Sequence, residues 1–137
     1  MAAQDIATTL QVDKTPEAVF RAINNVSEWW TAIEGQSQEV GDVFTVRFGK
    51  VFITHKVAES VPGKTVVWHV TDSNVSEWID TRIRFVISAE KNGAAIHFTH
   101  IGMVPGLPDY EDCVKGWNRF LHQSLSQLIT TGKGVPA

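Results

Sequence analysis

The chain has 137 residues, 43% apolar and 20% charged, with a formal net charge of −3. That is one domain's worth of globular sequence, long enough to bury a continuous core and a cavity as well. No apolar run approaches the roughly 20 residues that span a bilayer, so no membrane insertion is expected; the net negative charge and the absence of a Lys/Arg cluster argue against a nucleic-acid backbone as the main partner.

The opening "MAAQDIATTL" has neither a basic nor an apolar signal region, so no signal peptide is expected. Ile6, Thr8, Leu10 and Val12 alternate at period two and predict a first strand. In "TPEAVFRAI", Thr15 is a good N-cap and Pro16 suits the first helical position, where its missing N–H costs nothing. Val19, Phe20 and Ile23 share one face of this short helix, which Asn24-Asn25 ends. Ser27 is expected to cap a second short helix through "EWWTAI", with Gly35 as its stop. Trp29 and Trp30 then lie about 100° apart, one buried and one near the rim of the sheet.

From Glu39 to Gly102 the periodicity is that of strands. Phe44, Val46 and Phe48 alternate with Thr45 and Arg47. Gly49-Lys50 makes a tight turn, and Ile53, His55 and Val57 alternate with Thr54, Lys56 and Ala58. Pro62-Gly63-Lys64 is a turn in which Pro presets φ and Gly accepts a positive one. "TVVWHV" is a strand, "TDSN" a polar turn, and "TRIRFVI" places Thr81, Ile83, Phe85 and Ile87 on one face. Asn92-Gly93 is a strong hairpin signal, followed by Ile96, Phe98 and His100 on one face. After the Pro/Gly loop "MVPGLPDY", Asp109 is expected to cap a long helix. Tyr110, Val114, Trp117, Leu121, Leu125 and Leu128 form its apolar stripe, and Gly132 suits a left-handed C-terminal cap. Such a helix is about 33 Å long at about 1.5 Å per residue.

The order is therefore a strand, two short helices, about six antiparallel strands and one long helix. This is an α+β chain read as a single domain over residues 1–137, with no linker-like segment. The tetrapeptide VSEW occurs twice, in "NNVSEWW" and "SNVSEWI", but its flanks diverge and no repeat period follows. Trp78, in the second copy, has the opposite strand parity to Ile83 and Phe85 and is expected outward or at an edge. Cys113 is the only cysteine, so no internal disulfide forms. With no export signal this points to the cytoplasm.

Several stretches together carry a family resemblance. "KTPEAVFRAINNVSEWW" resembles the first strand-to-helix segment of the START-like, or SRPBCC, superfamily. "VPGKTVVWHV" and "WIDTRIRFVISAEKNGAAIHFTHIGM" resemble its hairpins. "GWNRFLHQSLSQLITTGKG" is similar to the closing helix of the group named after the activator of heat shock protein 90 ATPase. The resemblance runs through residues 5–134. It implies a helix-grip (START-like, Bet v 1-like) fold, in which a curved antiparallel sheet of six to seven strands wraps a long C-terminal helix. It also implies a hydrophobic ligand held between sheet and helix. The family name implies a chaperone partner. Stimulation of the chaperone ATPase is not expected of this chain, because eukaryotic activators carry a separate N-terminal domain for which 137 residues leave no room.

If the sheet curls inward, parity selects the residues facing the helix. The candidates for a cavity lining are Trp30, Phe44, Val46, Phe48, His55, Val57, Trp68, Ile83, Phe85, Phe98 and His100, with Trp117 and Leu121 from the helix. They form either a dry core or, in part, a pocket of the usual kind, apolar with a few polar groups. His55 and His100 are the polar exceptions, and a buried imidazole needs a partner. They serve structural bonds, a ligand's polar group, or proton transfer. His97 and His100 point to opposite faces, and no metal motif, Ser elbow, phosphate loop or carboxylate pair is present. No cofactor is expected.

Three functions compete on this basis. The first is non-enzymatic binding of a small hydrophobic molecule, lipid-like or polyketide-like. The second is a polyketide cyclase or aromatase-like enzyme using a histidine. The third is a chaperone-interaction module with an exposed patch that includes Trp78. The chain itself is expected to be a monomer or a homodimer.

Overall fold

A computed structural model describes residues 5–103 and 108–136, with the side chains of residues 108 and 109 outside the description. Seven strands form one antiparallel sheet in the order β1-β7-β6-β5-β4-β3-β2. β1 (Ile6–Val12) buries Ile6, Leu10 and Val12 and lies antiparallel to β7. Thr15 caps α1 (Pro16–Asn24), its hydroxyl accepting from the Ala18 N–H at 3.2 Å. α1 turns Val19, Ala22 and Ile23 into the core.

α2 is a single turn, Val26–Trp29, and Ser27 does not cap it: the cap position is Asn25, without a side-chain bond. The helix stops there because the next residues are drawn into the sheet as β2 (Ile33–Gly35), paired with Phe44–Val46. Gly35 therefore ends a strand, not a helix. Its φ is +105°, and an added Cβ would lie 2.2 Å from the Val43 carbonyl oxygen.

β3 (Val43–Phe48), β4 (Val51–Val61) and β5 (Thr65–Ser73) follow as a meander, with Gly49 (φ +61°) and Gly63 (φ +71°) in the turns. β4 slips register against β5 at Thr54/His55 and again at Val57/Glu59. Such bulges bend a strand and sharpen its twist, and here they help curl the sheet. β6 (Arg82–Glu90) and β7 (Gly93–Ile101) form the hairpin expected at Asn92-Gly93. Across the inner face, Val57, Trp68, Ile83, His100 and Ile6 pair in one continuous row.

Trp78 departs from the parity expectation. Residues Ser76–Trp78 form a short 3₁₀ turn, so strand alternation does not apply to them. The turn folds the indole over the end of the sheet, where it is only 7% exposed. Both VSEW copies are helical turns, one α and one 3₁₀, with different neighbours.

The closing helix begins as α3 (Pro108–Asn118), widens into a π segment (Arg119–Leu125) and ends as α4 (Ser126–Thr131). The capping expected of Asp109 falls outside the described side chains. Gly132 ends the helix in the left-handed conformation (φ +84°), its N–H bonding the Leu128 carbonyl at 3.0 Å. Trp117, Leu121 and Leu125 are buried as the stripe requires; Cys113, Phe120, Ser124 and Ile129 join them. This is the helix-grip arrangement.

Candidate functional site

The interior is dominated by aromatic rings. Trp29, Trp30 and Trp68 stack as a trio, with centroids 6.0–6.5 Å apart and planes within 3–18° of parallel. Phe44 and Phe85 stand edge-on to Trp68, each at 5.1 Å. Trp30 and Trp29 are both buried, so neither marks the rim. Trp30 is the C-cap of α2, its N–H bonding the Val26 carbonyl at 2.8 Å, and its indole stacks on that of Trp29 instead of standing at the rim.

His100 is held from both sides. The Trp117 indole donates to His100 Nδ1 at 3.0 Å, and His100 Nε2 lies 2.9 Å from Thr81 Oγ1. An indole nitrogen can only donate, so Nδ1 must be the bare acceptor and Nε2 carries the proton. The Thr81 hydroxyl then donates onward to the Trp78 carbonyl at 2.6 Å. The chain of bonds ties α3, β7 and the 3₁₀ turn together and holds the imidazole neutral. Burial pushes its pKa down to about 3. No nitrogen of His100 is left for a ligand.

His55 is the opposite case. It is fully buried, stacked on Phe44 (4.7 Å, 11°) and edge-on to Trp30 (5.4 Å) and Trp68 (5.9 Å). Neither ring nitrogen has a hydrogen-bond partner among the described residues, and nor does Trp68 Nε1. Burial, and secondarily His100, push its pKa down to about 3, against a weaker upward pull from the backbone at Phe44 and Ile53, whose polar groups lie near the ring without completing a hydrogen bond to it. It too is neutral at physiological pH.

A cleft of about 240 Å³ opens between α3, the β3–β4 hairpin and the 3₁₀ turn. Its walls are Trp30, Phe48, Val51, Ile53, Val75, Trp78, Cys113, Gly116, Trp117 and Phe120, with Asp112 as the charged member. Gly116 helps to create it: an added Cβ there would meet nothing within 4 Å.

The predicted lining residues divide into two groups. Trp30, Phe48 and Trp117 wall the cleft. Phe44, Val46, His55, Val57, Trp68, Ile83, Phe85, Phe98, His100 and Leu121 are buried behind it, in the packed core. Sequence reasoning passed over Cys113, Gly116 and Phe120, although they fall three or four residues apart beside Trp117 and so share its helical face. Val75 and Trp78 had no such signal, because their turn has no period. Among the described residues no cluster of His, Cys, Asp or Glu could hold a metal ion, and no helix is long and apolar enough to cross a membrane.

A curled sheet gripping a helix, with an apolar cleft at one end of the grip, defines a helix-grip domain of the SRPBCC type. Residues 13–130 match the family described as Activator of Hsp90 ATPase homolog 1-like protein, and the chain belongs to that family. No curated relative matches the sequence. Among solved structures, the Aha1 dimer from Colwellia psychrerythraea is similar at 27% identity, covering 96% of this chain and 99% of that one, with a TM-score of 0.84. A protein from Mesorhizobium loti is 20% identical over 92% of this chain and 96% of its own, with a TM-score of 0.78. A protein from Micromonospora echinospora is 16% identical over 97% and 78%, with a TM-score of 0.71, and shares the fold.

Proposed function

We propose that this protein is a non-enzymatic, cytoplasmic binding domain for a small hydrophobic molecule, lipid-like or polyketide-like, held in the cleft beside α3. The observation that carries this reading is the cleft itself: its walls are apolar and largely aromatic, and Asp112 is its one charged residue. Burying roughly 300 Å² of ligand at about 25 cal/mol per Å² yields a gross gain of about 7 kcal/mol, which limits affinity to about micromolar. The test is native mass spectrometry of protein purified from its own host, followed by extraction and identification of any adduct. A stoichiometric hydrophobic adduct is expected, and Gly116→Leu, which fills the cleft, should abolish it. An adduct that persists in Gly116→Leu, or no adduct at all, counts against the reading.

Family membership favours a second reading, a chaperone partner. Pull-down with the host's chaperone tests it. The Aha1 neighbour is a dimer, and a homodimer of this chain would register as a doubled mass in light scattering.

A further inference from the structure

Buried polar atoms without partners are scarce in folded proteins, and each one asks for an explanation. Here three of them gather in one place: both nitrogens of His55 and the indole nitrogen of Trp68, on rings 5.9 Å apart and fully buried. Their cost is real, since a buried imidazole or indole N–H without a bond loses its hydration for nothing. His100, in the same core, has both ring nitrogens bonded; a fourth buried atom without a partner, Asn24 Oδ1, lies apart at the end of α1. Trp30 stands between this trio and the cleft. Its ring lies edge-on to His55 at 5.4 Å and parallel to Trp68 at 6.1 Å, and it is also a wall of the cleft. Trp30 is the C-cap residue of the one-turn helix α2, outside every strand.

We propose that Trp30 is a gate, and that behind it His55 and Trp68 Nε1 form the polar floor of the binding site, selecting an uncharged flat aromatic molecule that carries a hydroxyl or carbonyl group. This inference rests on the cleft being a ligand site and names the chemistry it takes. The aromatic character follows from the neighbours of the floor, all of them rings: Phe44, Trp30 and Trp68 surround His55 at 4.7–5.9 Å. The uncharged character follows from the floor. A neutral imidazole offers one donor and one acceptor, and the indole adds a donor. A carboxylate would have to shed its hydration with no cation to meet it, and Asp112 at the cleft would repel it.

The experiment compares 2-naphthol with naphthalene, which differ by one hydroxyl, on the full chain by equilibrium dialysis. Wild type should bind 2-naphthol about tenfold more tightly, the worth of one good buried hydrogen bond. In His55→Leu that preference should vanish, the two affinities becoming equal. Trp30→Ala should raise the association rate of 2-naphthol about tenfold, as stopped-flow mixing would read. Equal binding of the two compounds to wild type overturns the polar floor but leaves the cleft as a ligand site. An unchanged association rate in Trp30→Ala overturns the gate. Binding of neither compound to wild type overturns this inference, while the cleft as a ligand site stands or falls by the adduct and the Gly116→Leu variant. The wild-type comparison does not depend on any variant folding.

Discussion

Acidification should destabilise this protein through two histidines in its core, and the size of the effect follows from their burial. His55 and His100 are held at about 3, against an ordinary 6.5. Their folded values are depressed, so the unfolded chain binds the extra protons. The stability involved is fully present above about pH 6.5 and drains away as pH falls toward about 3. Each histidine loses about 1.4 kcal/mol per pH unit in that window, so a drop from about pH 7.5 to about pH 5 costs about 2 kcal/mol for each and about 4 for the pair. Urea denaturation of wild type and His55→Leu at the two pH values isolates half of this. Leu has a similar size and leaves no unpaired nitrogen, so the variant should be no less stable than wild type at neutral pH. On acidification it should lose about 2 kcal/mol less than wild type. Equal losses in the two proteins would refute the argument, because they would mean that His55 already binds a proton in the folded state or is not buried.

Three further outcomes are expected. Trp117→Phe removes the donor to His100 Nδ1 together with part of a buried indole, and should cost at least about 1–3 kcal/mol in urea denaturation, the penalty of one stranded buried acceptor plus that of the space left behind. Ser124→Ala, in the π segment, removes both the 2.6 Å bond to the Trp29 carbonyl and the 2.8 Å bond from the Val135 N–H; faster hydrogen exchange at the Val135 amide should report it. Gly35→Ala should lower the melting temperature, because an added Cβ would lie 2.2 Å from backbone at a φ of +105°; an unchanged melting temperature would show that β2 is not docked as described.

Most strands were legible because one face of the sheet is buried and the other is not. Phe44/Val46, Ile53/His55/Val57 and Ile83/Phe85/Ile87 alternate cleanly, because the two bulges, at Ala58 in β4 and Thr71 in β5, fall outside these stretches. What escaped has physical reasons. β2 is three residues long, too short to show a period. The π segment carries apolar residues three and four apart, as an α-helix would, so its wider turn leaves no trace in the pattern. Trp78 was misplaced because parity was extended through a turn. The inward face was predictable, but not where side chains fail to fill it: that depends on Gly116 and on how Trp30 leaves α2. Likewise His55 and His100 look equivalent in sequence, both on inward strand positions. Only Trp117 and Thr81, brought to one of them by the fold, make that one structural; the other completes no hydrogen bond among the described residues.

The stacked trio of Trp29, Trp30 and Trp68 also makes the protein's core a single chromophore. Indoles this close and this parallel share an excited state, so light absorbed by one is not emitted by it alone. Where their in-plane transition dipoles are skewed, the coupling adds an exciton band to the far-ultraviolet circular dichroism, and a secondary-structure fit that ignores it will misjudge a correctly folded sample. The same coupling makes a built-in reporter. Any movement of Trp30 out of the stack would change that band while the backbone signal stayed fixed.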